Sequence, residues 1–113
     1  MKKIKTTIIA FAAIMISVGV QAQSDTVKIM TSAVCDLCKE RIENVLSFEK
    51  GVKSGILDLE TKIVTVVYNP EKTTDQKIRE AITKMGYDAD SLAADAKAYK
   101  RLPDCCKHDG MKH

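Results

Sequence analysis

The 113-residue chain carries 18 Lys and Arg against 15 Asp and Glu, a formal charge of +3. Lys2, Lys3 and Lys5 account for that excess, and elsewhere the charges alternate in sign, as in Lys39-Glu40-Arg41 and Lys77-Ile78-Arg79-Glu80. This excludes a nucleic-acid patch or a polybasic membrane tether, and a chain with no Trp and few other aromatics must build its core from Val, Ile, Leu, Ala and Met.

The three lysines precede an apolar run over residues 8–20 that is broken only by Ser17 and Gly19, and Val20-Gln21-Ala22 places small residues at −3 and −1 of a cleavage site. This is the layout of a secretory signal peptide over residues 1–22; the run is short for a membrane span, and the alternative is an uncleaved anchor. The mature chain then starts at Gln23, carries no net formal charge, and is large enough for one small domain. Export to the periplasm or cell envelope puts its cysteines where disulfides can form.

Alternation around Val27 and Ile29 predicts a first strand over residues 26–31. Cys38, Ile42, Val45 and Leu46 recur on one helical face from Asp36 to Phe48, and Gly51 ends that region. Residues 52–59 and 63–68 read as two strands joined by a turn at Glu60-Thr61-Lys62, the latter rich in β-branched side chains. For Val52, Leu57, Leu59, Val64, Val66 and Tyr68 to share a face, the first of these strands needs a bulge near Ser54-Gly55; Ile56, Ile63 and Val67 then lie on the opposite, open face. After Asn69-Pro70, Thr73 and Gln76 read as a capping box, Ile78, Ala81, Ile82 and Met85 as a helical face, and Gly86 as its C-cap. Residues 87–90 complete the order β-α-β-β-α-β as a short edge strand. The predicted fold class is α+β, a ferredoxin-like sandwich with a four-stranded antiparallel sheet and two helices on one face. Beyond it, residues 92–102 are helix-compatible and Pro103 stops them. This extra helix is expected on the open sheet face or along its edge, a loose tail being the alternative.

Cys35-Asp36-Leu37-Cys38 stands where the first strand gives way to the first helix. The first thiol is then on a loop and the second in the first helical turn, where free N–H groups and the helix dipole favour thiolate. Two thiolates without an obligatory third ligand suit Cu(I) or Hg(II), whereas Zn(II) and Cd(II) want four ligands. Cys35 is the natural ligand to exchange and Cys38 the anchored one. Cys105, Cys106 and His108, with Met111 and His113, form either a second soft-metal site, a supplement to the first, or a mobile end with a reactive Cys pair. Paired CxxC and adjacent cysteines make a poor disulfide framework, because each bridge would close a tiny or strained ring.

The CxxC pair, Gly51-Val52, Val64-Thr65-Val66, Tyr68-Asn69-Pro70 and Gly86-Tyr87 together resemble the heavy-metal-associated domain family, over about residues 25–91. The family includes copper chaperones, N-terminal domains of metal-transporting P-type ATPases and the periplasmic mercuric-ion-binding protein. The resemblance implies metal binding at Cys35 and Cys38 and Tyr87 close to the metal loop; with the signal-peptide layout and the extension that lies outside the shared domain, the chain divides into 1–22, 23–91 and 92–113. The implied partner is a metal-transporting membrane protein or another envelope carrier, with no nucleic acid and no stable membrane insertion after cleavage. The chain departs from the family at Ala33, where a Met normally tucks beneath the loop, leaving that space to other side chains.

The reading that results is a non-enzymatic exported carrier of Cu(I), with Hg(II), Zn(II) and Cd(II) behind it, acting as a monomer or a metal-bridged dimer. No carboxylate pair, Ser/His/Asp set or Gly-rich phosphate loop supports catalysis. The competitors are a thiol–disulfide redox protein and an interaction module with a structural disulfide at the same CxxC.

Overall fold

The computed structural model describes residues 24–107. The signal-peptide segment and His108, Met111 and His113 lie outside the described residues. The chain forms β1 (Asp25–Met30), α1 (Asp36–Phe48), β2 (Val52–Asp58), β3 (Ile63–Tyr68), α2 (Asp75–Lys84) and α3 (Ala96–Lys100), then a 3₁₀ turn at Asp104–Cys106. No helix among these residues is long and apolar enough to cross a membrane.

β-Branched alternation in β3 makes it the central strand: the sheet order is β1-β3-β2, with both pairs antiparallel. Val64, Val66 and Tyr68 turn to the helices and are buried, joined by Ile29, Leu57, Cys38, Ile42, Leu46, Ile78 and Ile82 in one core. The bulge falls at Lys53, since Val52 pairs with Tyr68 and Ser54 with Val67. That extra residue lets Val52 and Leu57 share a face across an odd spacing. Gly55 also faces inward, where a Cβ would stand 3.0 Å from Leu46 Cδ1, so α1 approaches the sheet closely.

The ends of α2 explain two local outcomes. Its N-cap is Thr74, whose Oγ1 accepts from Lys77 N at 3.1 Å; the predicted cap, Thr73, is buried, and Gln76 falls one position short of a capping box. At the other end Gly86 (φ 107°) donates to Thr83 O at 3.0 Å and Tyr87 N to Ile82 O at 3.4 Å. This paired C-terminal motif drives the Tyr87 ring into the core.

Two expectations are corrected. Among the described residues the sheet has three strands, not four: residues 87–90 supply only the bridge of Ala89 to Thr31. Ala89 and Leu92 exchange backbone hydrogen bonds at 3.0 and 2.9 Å, and Asp90 adopts φ 53°, so the chain turns away after one pair. Asp90 Oδ1 accepts from Met30 N at 2.9 Å, replacing the carbonyl that a continuing strand would have offered. Nor does a helix over 92–102 cover the open sheet face. Only Ala96–Lys100 is helical, capped by Asp95, whose Oδ2 accepts from Ala98 N at 2.8 Å. Asp95 N donates to Thr83 O at 2.9 Å, and Ala98 lies against Gly86. The segment therefore docks on the C-terminal end of α2, while Met30 and Ile56 stay 52% and 62% exposed.

Candidate metal centre

The loop between β1 and α1 is held from below by Thr31. Its N–H and hydroxyl both donate to Lys62 O, at 2.8 and 2.9 Å, and its Oγ1 accepts from Ala33 N at 3.2 Å. Ala33 is fully buried, so the position where the family has Met is part of the packed floor. Cys35 follows as the N-cap of α1 with extended backbone (φ −151°, ψ 170°), and Cys38, one turn in, is fully buried.

The tail comes back to this loop. Leu102 and Cys106 are buried in the main core, and Cys106 N donates to Pro103 O at 2.8 Å to close the 3₁₀ turn. The Cys35 sulfur lies 3.2 Å from Cys38 Sγ, 3.4 Å from Cys105 Sγ and 3.8 Å from Cys106 Sγ. The sulfurs of Cys35, Cys105 and Cys106 are all within 4.8 Å of one another. All four cysteines are free thiols. The alternative of a loose tail with a detached Cys pair does not describe residues 92–107, and His108 lies outside the described residues.

The four thiols are electrostatically unequal. Burial by itself raises the Cys35 pKa, but the Cys38 backbone N–H and the thiols of Cys38, Cys105 and Cys106 outweigh it and bring the value from 9.0 down to about 7. Cys106 is pushed up to about 12, first by burial and then by the neighbouring Cys38 thiol. Cys105 is raised mainly by the hydrogen bond between its sulfur and that of Cys35. One exchangeable thiolate at Cys35 thus sits beside two thiols, Cys105 and Cys106, that hold their protons more tightly than usual. Tyr87 is fully buried beside this group, and its hydroxyl has no hydrogen-bond partner among the described residues. Burial, then the nearby Cys106 and Cys38 thiols, raises its pKa and keeps it a neutral phenol.

The arrangement can hold a thiophilic ion, because sulfur ligands already converge and the Cys38 amide stabilises charge on Cys35. Sequence reasoning placed Cys35, Cys38 and Tyr87 together by family likeness, and the tail pair without a location. It missed Thr31 as the latch of the loop, for which no sequence signal stands out. It also missed Asp95, whose place before Ala-Lys-Ala is a recognisable cap signal.

The model of the heavy-metal-associated domain matches residues 33–88. A copper-exporting P-type ATPase of Staphylococcus aureus (strain JH9) is 32% identical over 83 residues, which is 74% of this chain and 10% of that protein. The chain therefore spans about a tenth of the length of that relative. Among solved structures, a CopZ metallochaperone superposes with a TM-score of 0.56 at 29% identity, covering 57% of this chain and 98% of the other. The copper form of a CopA variant from Bacillus subtilis gives 0.54 at 30% identity, with 61% and 92% covered.

Proposed function

Because the chain belongs to the heavy-metal-associated domain family, we propose that it is an exported, non-catalytic carrier of a thiophilic ion, Cu(I) first. Cys35 and Cys38 take the ion, and a metal-transporting membrane protein or another envelope carrier receives it. The carrying observation is the Cys35 sulfur, within 3.8 Å of three other thiols and ionised from about pH 7. A thiolate at a helix N-terminus is both a soft ligand and a site where an incoming partner thiolate can add before the donor leaves. Cys38 is fully buried and keeps the ion while Cys35 exchanges. Contact with three thiols, rather than one partner sulfur, favours this over a dithiol redox couple.

The test is a competition titration of the reduced protein with Cu(I) against a chelator, beside Cys35→Ser and Cys38→Ser. One tight equivalent, lost in either variant with the fold retained, is expected. Full affinity in both variants overturns the assignment. Export is checked by the mass of the protein recovered from the cell envelope: loss of residues 1–22 is expected, and an intact cytosolic chain contradicts it.

A further inference from the structure

We infer that Cys105 and Cys106 complete the loop pair into a four-thiolate site for a divalent d10 ion of the Zn(II) and Cd(II) class, an inference that rests on Cys35 and Cys38 being the metal loop. The spacing of the sulfurs carries it. A metal–sulfur bond of about 2.3 Å requires thiolates about 4.6 Å apart for a linear two-coordinate ion, but only about 3.8 Å apart in a tetrahedron. Around Cys35 the three distances are 3.2, 3.4 and 3.8 Å, at or below the tetrahedral value and well inside the linear one. The Cys35, Cys105 and Cys106 sulfurs already lie within 4.8 Å of one another, and Cys38 joins that group through its contact with Cys35.

The tail that delivers the second pair is built into the fold. Asp95 N is fastened to Thr83 O, Ala98 is seated against Gly86, and Leu102 and Cys106 enter the core. Packing alone accounts for a buried Cys106, since a free Cys behaves as a small hydrophobe. It does not account for Cys105, which is exposed and still sits 3.4 Å from Cys35. Tyr87 is the independent second sign. Its hydroxyl is buried with no partner among the described residues, beside the Cys38 and Cys106 thiols. A thiolate there is an acceptor for that donor, and a buried donor without an acceptor is the exception in proteins. Four thiolates leave a divalent ion saturated, so the site is closed, with solvent-facing Cys105 the ligand most open to an incoming thiol.

Titration of the reduced full chain with Cd(II) alone decides this, read by thiolate-to-cadmium charge-transfer absorption per bound ion. The parent protein is expected to show twice the intensity per ion of a Cys105→Ser/Cys106→Ala double variant, with at least a tenfold loss of affinity in the variant. Cys105→Ser alone should lose a quarter of the intensity. It alters an exposed side chain, so it decides the matter if the double variant melts without a cooperative transition. Equal intensity and affinity in parent and Cys105→Ser overturns the four-thiolate site while leaving the Cys35/Cys38 carrier intact. Undiminished binding in Cys35→Ser and Cys38→Ser, with loss only in the tail variants, overturns both.

Discussion

Cys35 and Cys106 show how one cluster moves identical thiols in opposite directions. Cys35 falls from 9.0 to about 7 and Cys106 rises to about 12. Alkylation of Cys35 in the reduced, metal-free protein should follow a midpoint near pH 7, and removing the tail thiols should shift it upward, because two of the groups that stabilise the thiolate are gone. Peptide mapping of the alkylation rate against pH checks this; an unchanged midpoint would mean the tail thiols do not reach Cys35 in solution. Linkage gives a second expectation. A depressed folded-state pKa adds stability that is complete above pH 9 and is lost as pH falls through about 7. The raised Cys106 value acts oppositely, since above pH 9 the unfolded chain ionises while the folded one does not. The melting temperature of the metal-free protein should therefore decline above pH 9, and less steeply in Cys106→Ala. At this scale the CxxC spacing made Cys35 and Cys38 legible as the candidate pair, and the tail cysteines as candidates beside them. It did not show that Cys105 meets Cys35, a contact spanning 70 residues that no local pattern encodes.

Gly86 does two jobs as a structural element, ending α2 and providing the seat for α3. Its φ is 107°, and a Cβ there would stand 3.0 Å from the backbone of Ala98 and Tyr99. Gly86→Ala should cost about 1 kcal/mol or more, through the left-handed conformation and the clash, and should lift the tail pair from Cys35. A urea midpoint measured together with the Cys35 alkylation profile separates those effects. On the edge of β2, Glu43 accepts from Leu57 N at 2.7 Å and from Lys39, which itself donates to Leu57 O at 2.9 Å. The pair occupies the outward backbone groups of an edge strand. Burial opposes the Glu43 charge, but Lys39 and the Leu57 amide prevail and hold its carboxyl below the usual range. Glu43→Gln should cost roughly 1.5 kcal/mol, the low end for a charge-assisted bond at a half-exposed site, seen as a lower urea midpoint at unchanged slope. Periodicity located α1 and β3 at their observed bounds, because each has one strongly apolar face. It failed at residues 87–90 and 92–102, where Asp90, Asp95 and the Gly86 seat redirect the chain through tertiary contacts.

The whole molecule is divided by its sheet, with the thiols and strapped tail on the helix side and an open face around Met30, Ile56, Ile63 and Val67 on the other. The expected cover went elsewhere because Thr83 and Gly86 anchor the tail to the end of α2. Since the tail is folded in place, its thiols need no loop closure to reach the metal loop, and they compete with any incoming thiol as intramolecular ligands of high effective concentration. Loaded protein should then release Cd(II) slowly to a soluble dithiol. Replacing Cys105 and Cys106 should speed that release by tenfold or more, while Ile56→Lys on the open face leaves both the release rate and stability, within about 0.5 kcal/mol, unchanged. Stopped-flow transfer to the dithiol tests the division. Equal rates in parent and tail variant would reduce the strap to a structural brace, and a faster rate in Ile56→Lys would show that the two faces are coupled.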